Sequence, residues 1–199
     1  MGLISNGTTI FDNGAMSSSF GTSLKLISKQ TASSSTSINF TTGIDSSFNE
    51  YIFYFVNLHP ATNDVTLNVE FSTDGGSSYG VNKTTTFFAA RHRESDSATN
   101  LDYVTNRDLA QSTSSQKLCY DIGNLNDESA CGWLKLFDPG GTGEVKQFLS
   151  TFVGNGQAED CQNSFVGGYV NTTSAIDAVK FTMSSGNIDS GDIIMYGVG

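Results

Sequence analysis

Residues Val65-Thr66-Leu67-Asn68-Val69-Glu70-Phe71 alternate apolar and polar without a break, and Asp74-Gly75-Gly76 follow after Ser72 and Thr73. Period-two alternation lines every second side chain along one face of a strand, whereas a helix would scatter them. Asp-Gly-Gly supplies the positive-φ residues of a tight reversal, so the segment reads as half of an antiparallel hairpin. Segments of this kind recur. Leu24–Ile27 and Ile38–Phe40 alternate, and Tyr51–Val56 is an unbroken β-branched and aromatic run that predicts a central strand covered on both faces. Further runs occupy Thr84–Ala90, Lys117–Ile122, Trp133–Phe137, Val145–Val153, Phe165–Val170, Ala178–Met183 and Ile193–Val198, with Pro139-Gly140-Gly141 as a turn between two of them. About ten or eleven short strands without an amphipathic helical stripe predict an all-β fold, an antiparallel β-sandwich of jelly-roll type. Its expected core holds Phe53, Phe55, Leu67, Val69, Phe71, Leu134, Leu136 and Phe181.

Composition narrows the function. Charged residues are only 15%, yet 14 Phe and 7 Tyr are far too many for a disordered chain, and 199 residues can bury a core without staples. Twenty acidic against ten basic residues give a net charge of −10, so phosphate backbones and anionic lipid repel the protein. Neither nucleic acid nor membrane is an expected partner, and no window approaches the ~20 apolar residues of a helical span. Met1-Gly-Leu-Ile lacks the basic and apolar regions of a signal peptide, so the glycosylation triplets at Asn6, Asn82 and Asn171 carry no expectation. Cys119, Cys131 and Cys161 form no CxxC pair and read as free thiols; a Cys119–Cys131 bridge would require a hairpin that brings them together.

Two stretches stand apart. Residues 1–22 are too Gly-rich for a helix and too apolar for a solvated linker. They read either as an irregular strand of the same domain or as an N-terminal arm, residues 1–22, ahead of a single β-sandwich domain at 23–199. As an arm they would pack Ile10, Phe11 and Phe20 on a neighbouring subunit, since an isolated segment cannot offset an ordering cost of ~1–2 kcal/mol per residue. The second stretch, Arg91–Gln116, is long and polar and contains all three arginines, Arg91, Arg93 and Arg107. Connections of this length are functional or carry a short helix of their own. These arginines are expected at one end of the domain, paired with carboxylates of their own loop or of a neighbour, and are further oligomer-interface candidates.

Catalytic raw material is thin. His59 and His92 are the only histidines, and neither has partners at the spacing a metal site or a general base demands. No GxSxG, HExxH or P-loop pattern occurs. No catalytic, cofactor or metal residue is assigned, and an enzyme is not expected. Twenty acids always allow the carboxylate pair of a glycosidase, but most of them fall in turns, where Asp bonds its own backbone. Two oxygen-rich turns, Asn124 to Glu128 and Asn187 to Asp192, depart from the calcium-loop pattern and read as solvated. Trp133, flanked by Leu134 and Leu136, reads as a core or interface residue rather than a sugar-stacking platform. Ser72-Thr73-Asp74-Gly75-Gly76-Ser77-Ser78-Tyr79 resembles the Asp-box of sialidase propellers. Propellers carry several copies at blade spacing and this chain has one, so the motif implies a stabilised hairpin and no sialidase.

Four stretches carry a wider resemblance: Ile44–Tyr51 running into Asn57-Leu58-His59-Pro60; Phe71–Tyr79; Asn126–Ser129 with Leu134–Pro139; and Tyr169–Ala178 with Ser185–Gly191 and Met195–Val198. In this order they resemble structural proteins of tailed bacteriophages, marine ones especially, which are commonly tail-fibre or virion components. Cys131-Gly132 and Cys161 depart from the polar or small residues usual there. The resemblance implies a non-enzymatic virion subunit, made in the host cytoplasm and displayed on the particle as a tail fibre or knob, a head fibre or a capsid decoration. It implies assembly as a homo-oligomer, a trimer above all, with other virion proteins and a host-surface glycan as further partners. A lectin-like module and a glycosidase are the alternatives. The three readings separate structurally: an apolar patch on the outside of the subunit, exposed aromatics beside polar loops, or two carboxylates facing one cleft.

Overall fold

The computed structural model describes residues 3–5, 8–12, 15–16, 24–156 and 158–199, the first three segments as backbone strands only. Fifteen strands run in the order β1 (Leu3–Ser5), β2 (Thr8–Asp12), β3 (Ala15–Met16), β4 (Lys25–Thr31), β5 (Ile38–Phe40), β6 (Glu50–Pro60), β7 (Val65–Ser72) and β8 (Lys83–Arg93). They continue with β9 (Thr99–Tyr103), β10 (Gln116–Ile122), β11 (Ala130–Phe137), β12 (Lys146–Gly156), β13 (Asp160–Val170), β14 (Ala178–Met183) and β15 (Ile188–Val198). There is no helix among the described residues. β2 pairs antiparallel with β1 on one side and β3 on the other. The side chains of Ile10 and Phe11, and all of Phe20, lie outside the described residues.

The other strands form one antiparallel sheet that is nearly closed into a barrel. One run pairs β4-β15-β6-β11-β12-β13-β8-β9. A second run, β10-β7-β14-β5, joins β12 through the single pair Ile122↔Gly156. Isolated bridges at Lys83↔Ser112 and Ser35↔Ile188 draw the remaining margins together.

All eight expected core residues are buried. The interior is an aromatic cluster in which Phe181 meets Phe53 at 5.5 Å and Phe55 at 4.9 Å between ring centroids, both edge-on. Phe55 also meets Phe152 at 4.8 Å, and Phe71 meets Phe148 at 5.2 Å. Edge-on and tilted rings set positive edges against negative faces, which adds to the burial of their area.

Two lysines share this interior. Lys146 and Lys83 both pair with Val170, from opposite sides, and both are fully buried. Lys83 donates to the Val81 carbonyl at 2.9 Å and Lys146 to the Glu144 and Thr173 carbonyls. Burial holds the Lys83 ammonium below its ordinary pKa.

The hairpin after β7 folds as its residues predict. Asp74 accepts the Ser78 hydroxyl and amide, and Ser72 Oγ accepts the Asp74 and Gly76 amides. Gly75 and Gly76 take φ of 69° and 86°, values that side chains disfavour. The stretch Arg91–Gln116 differs from expectation. It holds no helix; β8 runs on to Arg93, and β9 pairs back on it. β9 is exposed at every position, so no core-facing alternation marks it in the sequence.

Candidate interaction surface

Tyr51–Val56 reads as covered on both faces, but among the described residues the outer face is covered only at Ile52, 5% exposed. Tyr51, Phe53 and Phe55 point into the barrel, while Tyr54 and Val56 stay 37% and 42% exposed. The cross-strand register shows what surrounds them. Ile194, Tyr54, Trp133, Thr151, Phe165, Phe88 and Tyr103 are successive partners across β15, β6, β11, β12, β13, β8 and β9. They form one row on the outer face, with Lys29 of β4 at its end.

Rows on either side share this character. On one side run Leu26, Tyr196, Ile52, Lys135, Leu149, Gly167 and Thr86. On the other lie Asp192 and Val56, then, past a bulge where Asn57 takes a φ of 49°, Cys131, Val153, Asn163, Ala90 and Leu101. Among the described residues, every exposed large hydrophobic side chain except Leu24 and Leu125 falls in these three rows. Contiguous exposed apolar patches of this kind mark interaction sites.

The centre of the band is shaped. Phe88 and Phe165 stack with centroids 4.8 Å apart and planes 10° from parallel. Trp133 stands across the small Thr151, and Gly167 adds no side chain, leaving a groove of about 280 Å³ between the rings. Trp133 is therefore not a core residue, since its side chain points away from Leu134 and Leu136; Lys135 Nζ lies 5.6 Å from its ring centroid. The few charges pair off: Lys29 with Asp192 at 2.9 Å and Lys135 with Glu50 at 2.9 Å. The band is close to neutral on a strongly acidic chain.

The arginines lie elsewhere. Arg91 and Arg93 converge on Asp160 at 3.4 and 2.9 Å, and Arg107 meets Asp121 at 3.3 Å while stacking 3.6 Å from the Tyr120 ring centroid. Their carboxylate partners sit on β13 and β10, outside the polar stretch that supplies the arginines.

The two oxygen-rich turns do meet, around a polar groove lined by His59, Asn126, Asp127, Glu128 and Ser190. Glu128 is already engaged by the Leu125 amide at 2.7 Å. Among the described residues no group of three or more His, Cys, Asp or Glu is arranged to hold a metal ion. His59 faces the Leu125 carbonyl at 3.1 Å and His92 the Asp96 carboxylate at 3.0 Å. All three cysteines are free. Burial pushes the Cys119 thiol up to about 12, whereas Cys131 and Cys161 sit on the outer face with Cys161 exposed.

No family model and no curated protein matches the chain.

Proposed function

We propose that the chain is a non-enzymatic structural subunit of a tailed-phage particle, displayed as a tail-fibre or knob domain or as a head-fibre or capsid-decorating protein. The observation that carries this reading is the apolar band on the outer face. A subunit built for assembly must leave such a surface for its neighbours, and a solitary acidic protein has no use for one. Homo-oligomers close by symmetry, and a threefold arrangement is the one we favour, because closure uses up adhesive surface. Other virion proteins and a host-surface glycan are the further partners. Within the fold, we read the nearly closed sheet as two packed layers of a jelly-roll-like sandwich, β4-β15-β6-β11-β12-β13-β8-β9 over β10-β7-β14-β5. The rings that meet between these runs, Phe55 with Phe181 and Phe71 with Phe148, support that reading. Mass spectrometry and electron microscopy of purified particles test the assignment: the chain should be a stoichiometric component, and its absence from the particle would refute it.

A second reading, a lectin-like module, is favoured by the groove between Trp133 and Phe165, since sugar rings stack on such side chains. Saturable quenching of Trp133 fluorescence by an oligosaccharide would select it.

A further inference from the structure

We propose that the outer face of the run β4-β15-β6-β11-β12-β13-β8-β9 is buried against a second copy of this chain, with Trp133, Phe165 and Phe88 at the centre of the contact. The inference deepens the structural-subunit reading and rests on it for the choice of partner.

Size comes first. Eight strands spaced ~4.8 Å apart, and three rows of outward residues two positions apart, make a band about 34 Å by about 20 Å, on the order of 650 Å². Lys29, Lys135, Asp192, Thr86, Thr151 and Asn163 belong to that footprint, so its apolar part falls within the ~300–600 Å² of the largest patch on a typical monomer, a patch that is often functional. A stable pairwise interface takes ~800 Å² from each partner, which the band and its polar margin together supply.

Charge decides which partner fits. Two copies at −10 each repel at long range. They can meet only where the contact is locally neutral, and the band is: Lys29–Asp192 and Lys135–Glu50 cancel within the face. A basic partner would call for an acidic patch here, and a sugar for convergent hydrogen-bonding groups. Neither is present at the centre. Leu149 and Gly167 flank the rings, Thr86 Oγ1 already donates to the Gly167 carbonyl at 3.2 Å, and Thr151 offers a single hydroxyl between Trp133 and Phe165 rather than a convergent set. An apolar, neutral sheet face packs on another such face across a twofold axis, ~10 Å apart as packed sheets are, so closure around a threefold axis takes a second contact elsewhere on the subunit.

The sequence agrees. β6 is apolar at consecutive positions, a pattern for strands covered on both sides, and the described residues leave Tyr54 and Val56 uncovered on the outer one.

The test places charge on the face without touching the core. Leu149 and Val153 are 48% and 47% exposed, so the double variant Leu149→Lys/Val153→Lys should keep the wild-type circular-dichroism spectrum and melting temperature at high dilution. Light scattering on the full chain at about 10–100 µM should give a multiple of the monomer mass. The double variant should be monomeric, its self-association weakened at least ~100-fold by burying two unpaired ammonium groups. Leu125→Lys, exposed but off the face, should leave the mass unchanged. A monomeric wild type would overturn the proposal, as would a double variant that retains the wild-type mass. So would loss of the oligomer on deleting residues 1–22 together with its persistence in the double variant, which would assign the contact to the arm. A chain that self-associates through this face yet is absent from purified particles keeps the interface and refutes only the structural-subunit reading.

Discussion

The inner and outer faces of β6, β11, β12 and β13 are made by alternate residues of the same strands, and they meet opposite fates. Inward, Phe53, Phe55, Leu134, Phe148 and Phe152 are closed over by β7, β14 and β5. Outward, Tyr54, Leu149 and Val153 stay exposed and Trp133 and Phe165 half-buried within the described residues. Period two assigns residues to faces, but it does not say whether the cover comes from within the chain or from another molecule. The inner face accounts for the stability of the subunit, and the outer face is where association would draw its energy.

The largest expected effect separates the two faces directly. Phe181→Ala removes a ring at the centre of the inner cluster and should cost about 3–5 kcal/mol in urea unfolding. Phe88→Ala, on the outer face, should change monomer stability by no more than about 0.5–1 kcal/mol while weakening self-association. Comparable losses of stability in both variants would erase the distinction.

Thiol labelling sharpens the comparison at single residues. Cys161, exposed on the outer face, should react fastest. Cys131 should react more slowly, and more slowly still as protein concentration rises. Cys119, buried with its thiol pushed up to about 12, should stay unmodified until the protein unfolds. Cys131 reactivity that ignores concentration would place the contact elsewhere.

The smallest effect is a pH dependence at neither face. Bonds from Ser78 and Ser72 hold the Asp74 carboxyl down at about 2, against ~3.9 in an unfolded chain. A depressed folded-state pKa contributes stability that is complete above about pH 5 and fades as pH falls through about 2. The unfolding midpoint of the wild type should therefore drop across that window more than that of Asp74→Asn, with the two curves converging at the acid end. Parallel curves would mean that the hairpin bonds do not act through the carboxylate.

Much of this was legible in the residues, and the part that was not has physical reasons. Val65–Phe71 and Ala178–Met183 announce themselves because one face is buried and alternation follows. β9 leaves no such mark, because none of Thr99 to Tyr103 is buried. Near closure of the sheet depends on pairs far apart in sequence, Ile122 with Gly156 and Ser35 with Ile188, which no local pattern encodes. Lys83 and Lys146 end their strands as solvent-facing residues commonly do, yet nearby carbonyls let them be buried. The outer band had one visible signal, the unbroken run around Tyr54 and Val56. Its extent required the register that sets Trp133, Thr151, Phe165 and Phe88 side by side.

Trp133 is the single tryptophan of the chain, and it stands in the middle of that band. Its emission spectrum, followed over a dilution series from about 100 µM to about 10 nM, therefore reports on the central claim alone. The account predicts a blue-shifted maximum at high concentration that moves to the red on dilution, and a red-shifted maximum at every concentration for Leu149→Lys/Val153→Lys. A maximum that stays constant across the series for wild type, at the position shown by the double variant, would contradict it.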